Sequence, residues 1–248
     1  MAELHVQSLS KLSLCDNLAT KEPDLLSDVN EKFGSNIKSP TMSVTVIYSM
    51  AELEIFQLAA AGVDLVAVDC EGVNLSRFGS LTLVSVALDP FHIYLFDIIQ
   101  PDIELQVAQL DILRGILENP VIMKLIHDCH QDSDALLTQQ KIRLANVFDT
   151  SACILTLQKV KNISLNIKKT KLNDSLKQYD CPVNPNRDAG SNIYKENHAF
   201  WAERPLTEFM IAYASGLEKL LFSLFVFLIL HLCSYEIIYM ERRCRNVI

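Results

Sequence analysis

A short apolar segment that ends in two acidic residues constrains the fold of this chain more than any other feature of its sequence. Residues 65–68 form a continuous apolar run, which is typical of a strand buried on both faces of a sheet. Asp69 and Glu71 follow at once, and the alternation of side chains along a strand places both on one face. Two carboxylates so close repel each other unless a divalent cation such as Mg²⁺ or Mn²⁺ neutralises them. The alternative interpretation is an acidic pair that faces water.

The segments around this strand predict an α/β domain. Strand candidates at 81–88 and 93–97 follow, joined by a turn of hairpin length. Ser49 and Glu52 form a capping box that predicts a helix through about Ala61. Further strands are predicted at 44–48, 121–126 and 147–148, helices at 105–117, 133–140, 150–158 and 170–179, and a polar loop at 181–191. Three meandering strands followed by alternating helices and strands predict a mixed sheet flanked by helices.

Composition and charge exclude several classes of protein. Half of the 248 residues are apolar (50%), and Gly and Pro number only 7 and 8, so the chain is neither disordered nor of low complexity. The formal net charge of −8 makes it a poor general binder of polyanions, so nucleic acid would need a local basic patch or bound cations. Seven scattered cysteines and the lack of an early apolar run favour a reducing compartment, the cytoplasm or the nucleus.

Three regions divide the chain. Residues 1–42 are polar and aperiodic and predict a flexible leader, and residues 43–218 hold the α/β pattern. Residues 219–248 predict an apolar helical tail. Its segment 220–240 is long enough to cross a bilayer and to associate the protein with a membrane, but His231 and Glu236 count against a span, and a buried core helix would look similar.

Four segments, in order, resemble one known family. VAVDCEGVNLSRFGSLTLVSVA (66–87) and KLIHDCHQDSDALL (124–137) resemble the first two motifs of the DEDD 3′–5′ exonucleases, the ribonuclease D and Werner-type group. FDT (148–150) resembles the strand-to-helix step of that family, and FWAERPLT (200–207) with IAYA (211–214) resembles the approach to its third motif. The form of the second motif is most similar to the animal branch that includes Egalitarian and the exonuclease-domain proteins of the piRNA pathway.

The resemblance implies a ribonuclease H-like fold of the DEDDy type that removes nucleoside monophosphates from the 3′ end of single-stranded nucleic acid, with RNA favoured over DNA. Carried over by position, Asp69, Glu71 and Asp132 would be ligands of two Mg²⁺ or Mn²⁺ ions. Asp132 is preferred over Asp128 and Asp134 by its distance from the strand. Tyr213 would orient the attacking water.

One position departs from the family pattern. The family has an aspartate four residues after the tyrosine, on the same helical face, and this chain has Leu217 there. Glu218 is turned about 100° around the helix axis and is a poor replacement. Loss of one ligand predicts impaired turnover. The alternative function is therefore a catalytically inactive, exonuclease-like module that binds RNA or acts as an adaptor for protein partners in RNA metabolism.

A basic segment offers candidate contacts to nucleic acid. Lys168, Lys169 and Lys171 lie in it and could meet phosphates, although a solvated helix face is the other interpretation, and Arg77 follows the first motif and is a candidate for lining the groove. For other candidates, structural roles are favoured over functional ones. Asp149 is expected to cap a helix, and packing is expected for His127, Cys129, His130, Phe200 and Trp201.

Overall fold

A six-stranded mixed sheet forms the centre of the protein. The structure is a computed structural model that describes residues 42–160 and 171–245. The strands are β1 (Ser43–Ile47), β2 (Leu65–Val73), β3 (Ser80–Asp89), β4 (His92–Asp97), β5 (Met123–Ile126) and β6 (Val147–Asp149), in the spatial order β1-β4-β3-β2-β5-β6. β2 lies inside the sheet, antiparallel to β3 and parallel to β5, and β1–β4 and β5–β6 are parallel pairs. The predicted mixed sheet is confirmed.

Seven α-helices accompany the sheet in the described residues. They are α1 (Met50–Ala59), α2 (Ile103–Leu117), α3 (His130–Gln140), α4 (Thr150–Val160), α5 (Leu172–Gln178), α6 (Arg187–Glu196) and α7 (Glu208–Arg245). A 3₁₀ turn, Phe200–Ala202, precedes α7. The sheet and its helices belong to one unit, Met42–Leu228. A second unit comprises Met1–Thr41 and Ile229–Ile248, of which the structure describes only helical residues 229–245. The predicted leader 1–42 lies outside the described residues except for Met42.

The first helix forms as its sequence predicts. Ser49 is the N-cap of α1: its side chain accepts the N–H of Glu52 at 3.4 Å, and the Glu52 carboxylate accepts the Ser49 hydroxyl at 2.9 Å. The Glu52 carboxylate also accepts the N–H of Tyr48 at 2.8 Å, so the Ser49 and Glu52 side chains cap the start of the helix together. Phe56 of α1 is fully buried and makes edge-to-face contacts with Tyr94 and Phe96 of β4 at 4.9 and 4.8 Å between ring centroids. The helix is thereby fixed on the sheet.

The prediction of a polar loop at 181–191 is wrong, because α6 begins inside it at Arg187. Few apolar residues mark this helix, and Gly190 is the buried residue in it. Its position is set by tertiary contacts. The Tyr194 hydroxyl accepts the backbone N–H of Asn74 at 2.8 Å, and Gly190 packs directly against Tyr213. Contacts of this kind override local sequence preference.

Helix α7 includes the region predicted as an apolar tail. Among the described residues, Glu208–Leu230 is the one helical stretch long and apolar enough to cross a membrane by length and composition. Its leucines at 220, 221, 224 and 228 are buried within the protein, and Phe225 contacts Phe148 with ring centroids 4.9 Å apart. These contacts are those of a helix packed on its own domain. Membrane contact through 220–240 stays a prediction.

An ion pair buried beneath the 3₁₀ turn connects that turn to the sheet. Asp97 is 1% exposed, and its two carboxylate oxygens accept Nε and Nη2 of Arg204 at 2.6 and 2.7 Å. Arg204 also donates to the carbonyl oxygens of Thr82 and Trp201, both at 3.1 Å. Strands β3 and β4 are therefore joined to the segment that precedes α7 by a bidentate, charge-assisted contact.

Arg204→Met should destabilise the domain strongly, because it leaves the Asp97 carboxylate buried without its cation. We expect urea denaturation to show a loss of about 3–5 kcal/mol in the free energy of unfolding. The double variant Asp97→Asn/Arg204→Met should recover part of that loss, since no unpaired charge remains. A loss below about 1 kcal/mol in the single variant would show that the pair behaves like an exposed one.

Candidate functional site

Strand β2 carries the acidic pair to the site. Asp69 and Glu71 are two positions apart on β2, so they point to the same face of the sheet, and their carboxyl groups share a hydrogen bond. The register with β3 shifts between Glu71 and Gly72, where a Cβ on Gly72 would lie only 2.0 Å from the carbonyl oxygen of Ser80. Only glycine permits that approach. The bulge follows the acidic pair directly, and the pairing with β3 resumes beyond it as far as Val73.

The loop between β2 and β3 is fixed to α3. Arg77 donates to the Asp134 carboxylate through Nε and Nη2 at 2.8 to 3.1 Å and through its backbone N–H at 2.8 Å. Gln139 of α3 donates to the carbonyl oxygen of Ser76 at 2.8 Å. Phe78, the residue after Arg77, is 92% exposed. The loop thus presents an aromatic ring to solvent on a held backbone.

The third carboxylate, Asp132, lies in the first turn of α3 and is 6% exposed. The turn before that helix is held by Asp149 at the end of β6. The Asp149 carboxylate accepts the N–H groups of Asp128 and Cys129 at 2.9 and 3.1 Å, and it also accepts the N–H of Ser151 at 2.8 Å in α4. The prediction that Asp149 caps a helix is confirmed, and the same carboxylate positions the start of α3.

Tyr213 of α7 is buried against α6 and the 3₁₀ turn. Its ring centroid lies 5.5 Å from that of Trp201, so packing is confirmed for this tryptophan. A Cβ on Gly190 would be 2.3 Å from Cε2 of the Tyr213 ring, which shows how closely the α6 backbone approaches it. Arg187, at the start of α6, places its guanidinium carbon 5.7 Å from the ring centroid and hydrogen-bonds the phenol.

Arg187 also connects the tyrosine to the acidic pair. Its guanidinium is attracted by the carboxylates of Asp69 and Glu71 as well as by the Tyr213 oxygen. A cation carried by α6 therefore acts on two elements at once, the end of β2 and the N-terminal part of α7. At its other end, α6 is held by the bond from Asn74 to Tyr194.

Burial and mutual repulsion shift the acidities in this cluster. Burial raises the pKa of Asp69 to about 6, although the nearby Arg187 cation and the hydrogen bond from Glu71 oppose the shift. The pKa of Asp132 is raised by burial and by the negative charges of Asp69, Asp128 and Asp149. Burial likewise raises the pKa of Tyr213, with the Glu71 charge adding to it. Asp69 and Asp132 thus belong to one repelling group.

Comparison with known proteins identifies the family. The model of a 3′–5′ exonuclease domain matches residues 44–231, three quarters of the chain. The chain belongs to the 3′–5′ exonuclease family, of the DEDD type. The matched residues continue past Leu217.

Curated relatives share a shorter segment. The chain is 42% identical to the mouse piRNA biogenesis protein EXD1 over 86 residues and 41% identical to the human one over 87 residues. These alignments cover 35% of this chain and only 14% and 16% of the respective relatives. The chain therefore aligns with about a sixth or less of the length of those proteins.

Solved structures share the fold. Trypanosoma brucei RNase D has a TM-score of 0.63 at 20% identity, with 75% of this chain and 64% of that chain covered. The same enzyme in complex with RNA U12 has a TM-score of 0.63 at 19% identity, covering 76% and 63%. Brucella melitensis NrnC with bound Mg²⁺ has a TM-score of 0.51 at 16% identity, covering 76% and 79%. The expected ribonuclease D-like fold is confirmed.

The donor set of the exonuclease domain does not fit a two-metal site. Asp69 and Glu71 are adjacent and Asp132 is close enough to repel Asp69, but residues 42–160 and 171–245 contain no group of three ligand side chains arranged to hold one ion. Position 217 in α7, where the family pattern has its fourth carboxylate, is leucine. Arg187 adds a positive charge to the same cluster.

The structure describes two of the four residues predicted to contact nucleic acid. Lys168 and Lys169 lie outside the described residues. Lys171 is exposed immediately before α5. Arg77 is 57% exposed in its side chain, and its guanidinium is bound by Asp134.

Sequence reasoning missed Arg187, because it assigned this residue to a loop. Two neighbouring residues could have indicated a helix here. Asp188 places an acidic side chain in the first turn, and Gly190 allows close packing against another element.

Asp69→Asn should stabilise the domain in a pH-dependent way. Because the pKa of Asp69 is raised from 3.8 to about 6 in the folded chain, folded stability is lost as the pH rises through that interval. The free energy of unfolding of the variant should equal that of the wild type near pH 4. Above pH 6 it should be higher by up to about 3 kcal/mol, since each pKa unit is worth about 1.4 kcal/mol. Urea denaturation across this range measures it. Asp111→Asn, an exposed change on α2, is the control, and parallel wild-type and Asp69→Asn profiles would contradict the expectation.

Proposed function

We propose that this exonuclease domain binds single-stranded RNA beside the end of β2 and that its metal-dependent 3′–5′ hydrolysis is severely impaired. The observation that carries the proposal is the incomplete donor set: Leu217 stands at the fourth carboxylate position, while Asp69, Glu71 and Asp132 remain. Two-metal hydrolysis needs ligands that clamp both the attacking and the leaving oxygen. A fold without that clamp keeps its groove and loses its turnover.

The loop after β2 supplies the binding surface in this proposal. Phe78 offers an exposed aromatic face on which a base can stack, and Arg77 beside it is a cation next to the phosphate path. Asp134 and Gln139 hold the loop, so little ordering is needed when RNA binds. The likeness in fold to an RNase D solved with RNA U12 is consistent with a nucleic-acid ligand.

A second candidate is residual 3′–5′ exonuclease activity. It is favoured by the retention of three carboxylates and the tyrosine, all placed around the end of β2. In that case the reaction would release nucleoside monophosphates from the 3′ end. The two candidates differ in one measurable quantity, the rate of product formation at full RNA binding.

RNA labelled at its 5′ end separates the candidates, because a 3′–5′ exonuclease shortens it into a ladder. We expect wild-type chain to bind the RNA equally in EDTA and in Mn²⁺ and to form no ladder in either. Leu217→Asp should raise hydrolysis in Mn²⁺ by at least about tenfold, a barrier lowered by about 1.4 kcal/mol, because it supplies the missing carboxylate.

Leu217→Asn is the matched control, since it has nearly the same shape without the charge and should show no gain. A rapid ladder from the wild type would contradict impaired turnover and support the second candidate. A wild type that binds no RNA would contradict the proposed binding. Equal rates for the aspartate and asparagine variants would show that position 217 does not serve as the fourth carboxylate.

Phe78→Ala should weaken RNA binding without changing stability, because its ring is exposed and packs on nothing that folding requires. Loss of one stacked base costs about 1–3 kcal/mol, so we expect the Kd to rise by about fivefold or more. Fluorescence anisotropy with a labelled single strand measures it. Phe91→Ala, at the β3–β4 turn on the opposite end of the sheet, is the control. Equal affinities for the two variants would place the RNA elsewhere.

A further inference from the structure

We infer that Arg187, which lies on α6 against Tyr213, is a built-in counter-cation of the acidic site and competes with divalent metal ions for Asp69 and Glu71. The inference deepens the proposed function, on which it rests, by naming what balances the charge of the site when no metal is bound. It assigns to Arg187 a positioning role.

Three contacts fix the place of Arg187. Gly190, one turn further along α6, meets the Tyr213 ring so closely that no side chain would fit there. Tyr194, at the far end of the helix, accepts the N–H of Asn74 at 2.8 Å. Arg187 itself lies 5.7 Å from the centroid of the Tyr213 ring, within the range of a cation–π contact. Helix α6 is thus held at its beginning, middle and end.

The negative charges around the Arg187 guanidinium stabilise it at this position. The carboxylates of Asp69 and Glu71 attract it, and Asp132, which repels Asp69, adds a further negative charge to the same cluster. Arg187 is only partly exposed, so these attractions are screened less than on an open surface. A guanidinium is also always protonated and less strongly hydrated than an ammonium group. It therefore keeps its positive charge at every physiological pH and offsets part of the negative charge of the acidic pair.

A divalent cation must displace this arrangement in order to bind. The ion would need the same carboxylate oxygens that attract Arg187, and in return α6 would lose its electrostatic contact with β2. The ligand set offers no compensation, since position 217 supplies no carboxylate. Metal affinity should therefore be low in the wild type and should rise when the guanidinium is removed.

Isothermal titration with Mn²⁺, in the absence of RNA, tests the inference on the full chain. We expect no detectable binding by the wild type at millimolar Mn²⁺. The affinity of Arg187→Met for Mn²⁺ should be at least about tenfold higher, which corresponds to about 1.4 kcal/mol. Lys195→Met is the matched control: it removes one positive charge from an exposed position on the same helix and should behave like the wild type.

A second measurement needs no variant. An ion that binds only the folded chain raises its melting temperature, and the rise grows with the logarithm of the ion concentration divided by its Kd. We expect Mn²⁺ to leave the melting temperature of the wild type unchanged. A rise of several degrees, or wild-type binding as tight as that of Arg187→Met, would overturn the inference. Neither result bears on RNA binding in EDTA, so a failure here is distinct from a failure of the proposed function.

Discussion

Carboxylates that fold together on one strand of a buried sheet require a compensating positive charge, and the rest of the site is arranged around that requirement. Asp69 and Glu71 share a hydrogen bond, and burial with the repulsion among neighbouring acids raises the pKa values of Asp69 and Asp132. In this chain the guanidinium of Arg187 acts on the pair from α6. Helix α6, which carries this cation, is placed by the bond between Asn74 and Tyr194 and by the packing of Gly190 on Tyr213.

Several polar side chains outside the acidic pair maintain the geometry. Asp149 holds the turn that begins α3 and so places Asp132, while Arg204 joins the segment before α7 to β3 and β4. These residues maintain the architecture of a 3′–5′ exonuclease domain in a chain that has leucine at position 217. Fold and turnover depend on different residues, which is why one can persist after the other is impaired.

The central sheet could be predicted from sequence because its strands carry strong signals: apolar runs, a hairpin turn and a capping box at Ser49. Asp69, Glu71 and Asp132 were accessible through the resemblance of their motifs to a known family. Helix α6 was not, because the contacts that position it join residues far apart in sequence, such as Tyr194 with Asn74. Arg187 therefore stood in a predicted loop. Arg187 and the two carboxylates that attract it are 116 and 118 residues apart in sequence. A pairing over that distance produces no periodic pattern in a single sequence.

The most direct test of the account is a crystal structure of the chain grown with millimolar Mn²⁺, examined by anomalous scattering. We predict that the Arg187 guanidinium remains beside the Tyr213 ring and that no anomalous peak lies between the carboxylates. A manganese peak bound by Asp69 and Glu71, with the Arg187 side chain turned away, would contradict it.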